Sequence, residues 1–177
     1  MNGNIMQWLR NLPIGTKLPL YAEPLSGQMM LTATLGIRVF RRDGSVEDRG
    51  IVSRKKVTDD FVGLLVDALQ GLAVDYDTFK YHDSGTDNTP EAAGDSALVA
   101  PCGDARTTGT QTEGATANIY KSVATHTYGG AYTIVEHGLF NAAAAGVLMD
   151  RSVFTGVAVA SGDKIEFTYQ LTFTAGG

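Results

Sequence analysis

From Asp163 to Gly177 the chain reads DKIEFTYQLTFTAGG, in which Ile165, Phe167, Tyr169, Leu171 and Phe173 alternate with Glu166, Thr168, Gln170, Thr172 and Thr174. Successive side chains of an extended strand point to opposite faces, so a period of two predicts a β-strand with one buried face. Its hydroxyl-rich face is expected either to be solvated or to be an edge that pairs with another copy. QMMLTATLGIRVF predicts a strand around Met29 to Arg42, Asp43-Gly44 is a two-residue hairpin signal, and Val46 to Val57 reads as the return strand.

The period then changes. Thr58 suits a helix N-cap, Asp59 and Asp60 suit the positive end of the helix dipole, and Phe61, Leu64, Leu65, Ala68, Leu69 and Leu72 recur at helical spacing up to Gly71. One amphipathic helix over about 58–72, lying against a sheet, is predicted. A short strand from Thr78 to His82 follows. Next comes a long run rich in turn formers, HDSGTDNTPEAAGDSALVAPCGDARTTGTQTEGATA, with a single helical turn expected at Asp95 to Val99. Strands return at Ala117 to Tyr128, Tyr132 to Phe140, Val147 to Phe154 and the closing segment, with turns at Gly129-Gly130 and Ala142 to Gly146. Four successive antiparallel strands predict one half of a meander or Greek-key sandwich, completed by the N-terminal hairpin and the helix. The fold class is therefore mainly β: an antiparallel β-sandwich, jelly-roll or Greek-key like, with one short amphipathic helix. Residues 1–27 are expected to form an extended N-terminal arm and 28–177 a single domain, with the helix at about 58–72.

Composition sharpens this picture in two places. With 21 glycines in 177 residues, turns and sheet edges are favoured over a helical bundle. A net charge of -5 argues against a broad phosphate-binding surface and hence against nucleic acid as a partner. Arg38, Arg41, Arg42, Arg54, Lys55 and Lys56 are interleaved with Asp43, Glu47, Asp48, Asp59 and Asp60, the pattern of a salt-bridged or partner-facing edge. The single cysteine, Cys102, excludes an internal disulfide and reads as a packed small side chain. No secretory signal opens the chain and no apolar run is long enough to span a bilayer, so no membrane partner is expected. Ile5, Met6, Trp8 and Leu9 are too apolar for a free tail, which marks the arm as a docking element on its own domain or on a neighbour.

Candidate chemistry is sparse. Asp83, Asp87, Glu91 and Asp95 alternate in a loop but miss the calcium-hand spacing. Glu136 and His137 are adjacent, so on a strand they face opposite sides and do not form one acid–base pair. His82, His126 and His137 lack zinc-site spacing. There is no Gly-rich phosphate cradle and no nucleophile elbow. The residues point to no catalytic set, no cofactor and no metal.

The strings FKYHDSGTDNTPEAAGDSAL, RTTGTQTEGATANIYKSVATHTYGGAYTIVEHGLFNAAAAGVLMDRSVF and SGDKIEFTYQLTFTAGG resemble a family of small tailed-phage virion proteins. In that family a GTGTT.A....D.AL loop precedes an I.E.GLFN....G.L..R..F hairpin and a final GD.....Y.L.F..G strand. The resemblance spans Thr78 to Gly177 and rests on loop and turn residues. It implies a non-enzymatic structural protein of the virion, foremost a capsid cement or decoration protein that binds the major capsid protein lattice as a homo-oligomer. Such a protein would assemble in the host cytoplasm and end on the capsid surface. A tail, neck or fibre component is the alternative within the virion. A glycan-binding β-sandwich is a rival from another class, with Trp8, Tyr21, Tyr76, Tyr81, Tyr120, Tyr128 and Tyr132 as candidate groove aromatics. The residues expected at a partner interface are Ile5, Trp8, Leu9 and Arg10 of the arm, Arg41, Arg42, Arg54 and Lys55 of the first hairpin, and Thr107, Thr108 and Thr110 of the loop.

Overall fold

The computed structural model describes residues 29–55, 57–73 and 75–176. In chain order they form β1 (Met30–Phe40), β2 (Val46–Lys55), α1 (Asp59–Leu69), β3 (Tyr81–Gly85), β4 (Thr107–Thr108), β5 (Thr110–Glu113), β6 (Ile119–Thr127), β7 (Tyr132–Phe140), β8 (Leu148–Val159) and β9 (Lys164–Thr174). Two antiparallel sheets result: β2-β1-β9-β6-β5 and β4-β3-β7-β8. Their inner faces share one core that includes Leu35, Ile37 and Val39 of β1, Ile165, Phe167, Tyr169 and Leu171 of β9, Ile134 and Leu139 of β7, and Met149 and Val157 of β8. Each such fully buried apolar side chain contributes about 1.5–3 kcal/mol.

The alternation of the closing segment appears as expected, with every odd position of β9 from Ile165 to Leu171 buried. Its place in the sheet differs from expectation. β9 pairs with β1 on one side and β6 on the other, so its polar face is a half-buried sheet face and no free edge exists there for a second copy. The expected grouping of the last four strands into one half of the sandwich is also overturned. β6 and β9 lie in the five-stranded sheet, while β7 and β8 pair in the other. The chain therefore crosses between sheets from β6 to β7 and back from β8 to β9, because each apolar face needs the opposite sheet to cover it.

Local corrections have local causes. The first hairpin is joined by residues 41–45, a longer loop than a two-residue turn, in which the Gly44 amide donates to the Arg41 carbonyl and Gly44 takes φ +86°. Thr58 caps α1 by accepting from the Phe61 amide, and its hydroxyl donates to the Leu148 carbonyl on β8. The helix stops at Leu69, with Gly71 at φ +70° behind it. Of its predicted apolar face only Phe61 is fully buried, against Phe79. Leu69 and Leu72 are exposed, together with Val62 and Val66. The strand expected at Thr78 to His82 starts three residues later, and Asp95 to Val99 is a bend without helix. β4 and β5, read from sequence as loop, carry the chain from one sheet to the other through Gly109. A Cβ there would lie 2.9 Å from both His82 Nε2 and the Val123 carbonyl oxygen.

Candidate functional site

The expected interface residues scatter. Ile5, Trp8, Leu9 and Arg10 lie outside the described residues, as do Tyr21 and Lys56. Arg41 is turned inward along the sandwich end, donating to the Ala158 carbonyl at 2.6 Å and the Asp163 carboxylate at 3.1 Å. Arg42 gives its amide to Asp163 at 3.1 Å and its guanidinium to the Ser161 carbonyl at 3.4 Å. Together they lock the β1–β2 turn to the β8–β9 turn. Asp163 accepts from the Arg41 guanidinium, the Arg42 amide and the Ala160 amide, and these hydrogen bonds, the Ala160 amide first, hold its carboxyl below the usual range despite the opposing effect of desolvation. Arg54 and Lys55 stand exposed on the edge strand β2, with Lys55 paired to Glu91 at 2.6 Å. Thr107, Thr108 and Thr110 line a shallow groove of about 450 Å³ with Thr112, Lys121 and Thr125.

The acidic loop does not gather its carboxylates around one point. Asp83 pairs with Arg106 at 3.3 Å, Glu91 with Lys55, and Asp87 and Asp95 with Arg151 at 3.9 and 3.2 Å. Their purpose is visible in the outer face of the four-stranded sheet, which the loop covers. Glu136 on β7 is fully buried and accepts from the amides of Val99 and Ala100 at 3.2 and 2.9 Å and from Arg151 Nε at 2.7 Å. Leu98 packs on Phe140 and Leu148. The glycines clear the space: a Cβ on Gly85 would lie 2.3 Å from Glu136 Oε1, and one on Gly138 2.9 Å from Leu98 Cδ2. Arg106 closes the far side, its guanidinium 3.4 Å from the Phe140 ring centre and donating to the Ala142 and Ala145 carbonyls.

Glu136 and His137 face opposite ways, as the strand period requires. His137 points inward, where His82 Nδ1 lies 2.9 Å from its Nε2 and His82 Nε2 lies 2.8 Å from Ser122 Oγ on β6. This chain of Ser122, His82 and His137 joins the two sheets through the core. Burial drives the His82 pKa down to about 3 and that of His137 well below its ordinary value, with His82 and His126 adding repulsion at His137. All three side chains have no exposed surface, so a substrate has no approach to the Ser122 hydroxyl. Beside them Asp150 accepts from Ser152 at 2.7 Å, and burial pushes its pKa up to about 7. Ser84 Oγ lies 3.1 Å from the Tyr128 hydroxyl, whose pKa burial raises.

Cys102 is half-buried, with its Sγ 3.6 Å from Ser84 Oγ, and it lies with Asp104 and His126 in the one grouping among the described residues whose donors are close enough to share a metal ion. Sequence spacing gave no hint of it, because two donors come from the loop and the third from β6. Of the candidate groove aromatics, Tyr128 is buried, the Tyr120 hydroxyl donates to the Phe79 carbonyl, and Tyr81 and Tyr132 are half-buried. Tyr76 is exposed and joins Phe61, Leu65, Phe79, Tyr120 and Phe173 around an apolar groove of about 320 Å³. Met30, Val62, Val66, Leu69 and Leu72 are exposed as well, on α1, the segment behind it and the start of β1. Among the described residues no helix is long and apolar enough to cross a membrane. Comparison with family models, with curated proteins and with solved structures found no match for the chain.

Proposed function

We propose that this chain is a structural protein of a tailed-phage particle, acting as a cement or decoration protein on the major capsid protein lattice. The observation that carries the reading is what the residues of the resemblance do. In the hairpin string they are Ile134, Glu136, Gly138, Leu139, Phe140, Asn141, Gly146, Leu148, Arg151 and Phe154. Glu136 and Arg151 pair inside and hold the covering loop, Gly138 makes room for Leu98, and Ile134, Leu139, Phe140, Leu148 and Phe154 are buried. Asn141 accepts from the Val147 amide at 2.7 Å, while Gly146 takes φ +78°. In the closing string Gly162 takes φ +88° and Asp163 ties two turns together. A motif spent wholly on framework is what a scaffold needs, whereas a motif kept for turnover leaves its polar groups facing a cleft.

The face offered to the lattice is that of α1 and the segment behind it, which bear Val62, Val66, Leu69, Leu72 and Tyr76. Val62, Val66 and Leu69 recur at helical spacing along α1 and are all exposed, and an exposed apolar stripe is the usual mark of a protein contact. Repetition of a modest contact over a lattice raises effective affinity without a large single interface. The test is co-sedimentation of the purified protein with empty, expanded shells of the phage whose genome carries it, followed by imaging. Binding across the lattice at a fixed ratio to capsid subunits is expected and should be lost in the double variant Val66→Asp, Leu69→Asp. Absence of shell binding, or binding at a single vertex as a neck or tail part would show, overturns the cement reading.

A further inference from the structure

We infer that Cys102, Asp104 and His126 form a site for one divalent transition-metal ion of the zinc class, with a fourth position open to water or an outside ligand. The donor atoms of the three residues all lie within 4.8 Å of one another. A tetrahedral ion with bonds of about 2.0–2.3 Å holds its donors about 3.3–3.7 Å apart. His126 Nε2 and Asp104 Oδ2 are already at 3.6 Å.

The histidine is prepared for the task. His126 is 2% exposed, and its Nε2 has no hydrogen-bond partner among the described residues. Its Nδ1 lies 2.8 Å from Thr107 Oγ1, the kind of contact that fixes ring orientation in a metal-bound imidazole and aims the other nitrogen at the ion. The ring also rests on Tyr128, with centroids 4.7 Å apart. The loop that supplies the other donors is anchored by the Cys102 amide, which donates to the Ser84 carbonyl at 3.0 Å. It bends at Gly103, where φ is +87°. Asp104, with 28% of its side chain exposed, gives the ion a path from solvent.

One sulfur, one imidazole nitrogen and one carboxylate oxygen suit zinc or cobalt(II) and disfavour calcium or magnesium, which take oxygen donors. Three protein ligands leave a coordination position free. A bound ion would join the end of the covering loop to β6 of the opposite sheet. Binding displaces the thiol proton and requires a neutral imidazole, so affinity falls as pH is lowered.

The test uses the full chain, reduced and stripped with a chelator, then titrated with Zn²⁺ by calorimetry and with Co²⁺ by absorbance. One ion per chain is expected, with a thiolate-to-cobalt charge-transfer band and protection of Cys102 from a thiol reagent by Zn²⁺. Cys102→Ser should abolish the band, and both it and Asp104→Asn should weaken Zn²⁺ binding by more than the about 10–100-fold that losing a ligand's hydrogen-bond partner costs. Thr107→Val should fall within that smaller range and keep the band. Failure of the folded wild-type protein to bind saturably, or unchanged affinity in both ligand variants, overturns the site.

Discussion

β9 and β8 are both long strands of the core, yet they are buried by different means. β9 follows its amino-acid pattern: inward residues are apolar, outward residues are polar, and its polar face meets only partial cover. β8 from Leu148 to Phe154 is buried on both faces except for Val153, although that stretch includes Asp150, Arg151 and Ser152. The difference lies in the loop of residues 86–106, which gives the four-stranded sheet a second interior. An apolar face is satisfied by apolar cover alone, while the face beneath a loop must also satisfy the loop's amides. Glu136 does so for Val99 and Ala100, and Arg151 neutralises Glu136. The face beneath irregular chain thus carries a buried ion pair, whereas between the sheets burial pushes His82, His137 and Asp150 toward their neutral forms.

The largest expected effect breaks this arrangement at its centre. Arg151→Met leaves the Glu136 carboxylate buried without its cation and should cost about 3–5 kcal/mol in urea unfolding, with most of that recovered by adding Glu136→Gln. The matching change on the five-stranded sheet, Arg38→Met, removes a pair to Glu166 in which the arginine is 47% exposed, and should cost under about 1 kcal/mol. Equal losses in the two sheets would break the comparison.

Acid sharpens it next. His82 and His137 are held neutral in the fold, so the unfolded chain takes up protons first as pH falls below the ordinary histidine value of 6.5. Stability is therefore present above that pH and is lost toward pH 3, at about 1.4 kcal/mol per pH unit for each histidine. Asp150 works in the opposite sense. Its raised pKa, about 7, makes the fold bind a proton that the unfolded chain releases above 3.8, which offsets one histidine between those values. Asp150→Asn should roughly double the steepness of acid destabilisation between pH 4 and 6.5, measured by thermal melts across pH. An unchanged slope would contradict the assignment.

Two glycine replacements are smaller and opposite in sign. Gly138→Ala pushes Leu98 and Phe140 and should cost about 1–3 kcal/mol, loosening the covering loop first. Gly63→Ala, on the open side of α1 where nothing lies within 4 Å, should stabilise by about 0.5–1 kcal/mol. Both are read from denaturant midpoints.

Strands with one interior were legible in the amino-acid pattern. The alternation of β9 is the pattern its burial follows, the bounds of β7 fall at the turn formers on either side of it, and the N-cap of α1 is where Thr58-Asp59-Asp60 implied. β4 and β5 were missed because TTGTQTE has no apolar residue to set a period. Assignment of strands to sheets failed because hairpin proximity favours neighbours, whereas β6 and β9 are joined through partners far apart in the chain. The Glu136–Arg151 pair was hidden because charged residues on a hairpin read as solvent-facing. The clue was Gly138, which sits opposite Arg151 and leaves no bulk on the covered face. The grouping of Cys102, Asp104 and His126 left no spacing to read, since a loop and a distant strand supply its members.

Amide hydrogen exchange at Val99 and Ala100 tests most directly whether the covering loop is a built layer of this protein. Both amides donate to Glu136, so the account predicts protection comparable to that of the β7 amides in the wild-type chain and exchange at near-free rates in Arg151→Met. Rapid exchange at both positions in the wild-type protein, with β7 still protected, would contradict it.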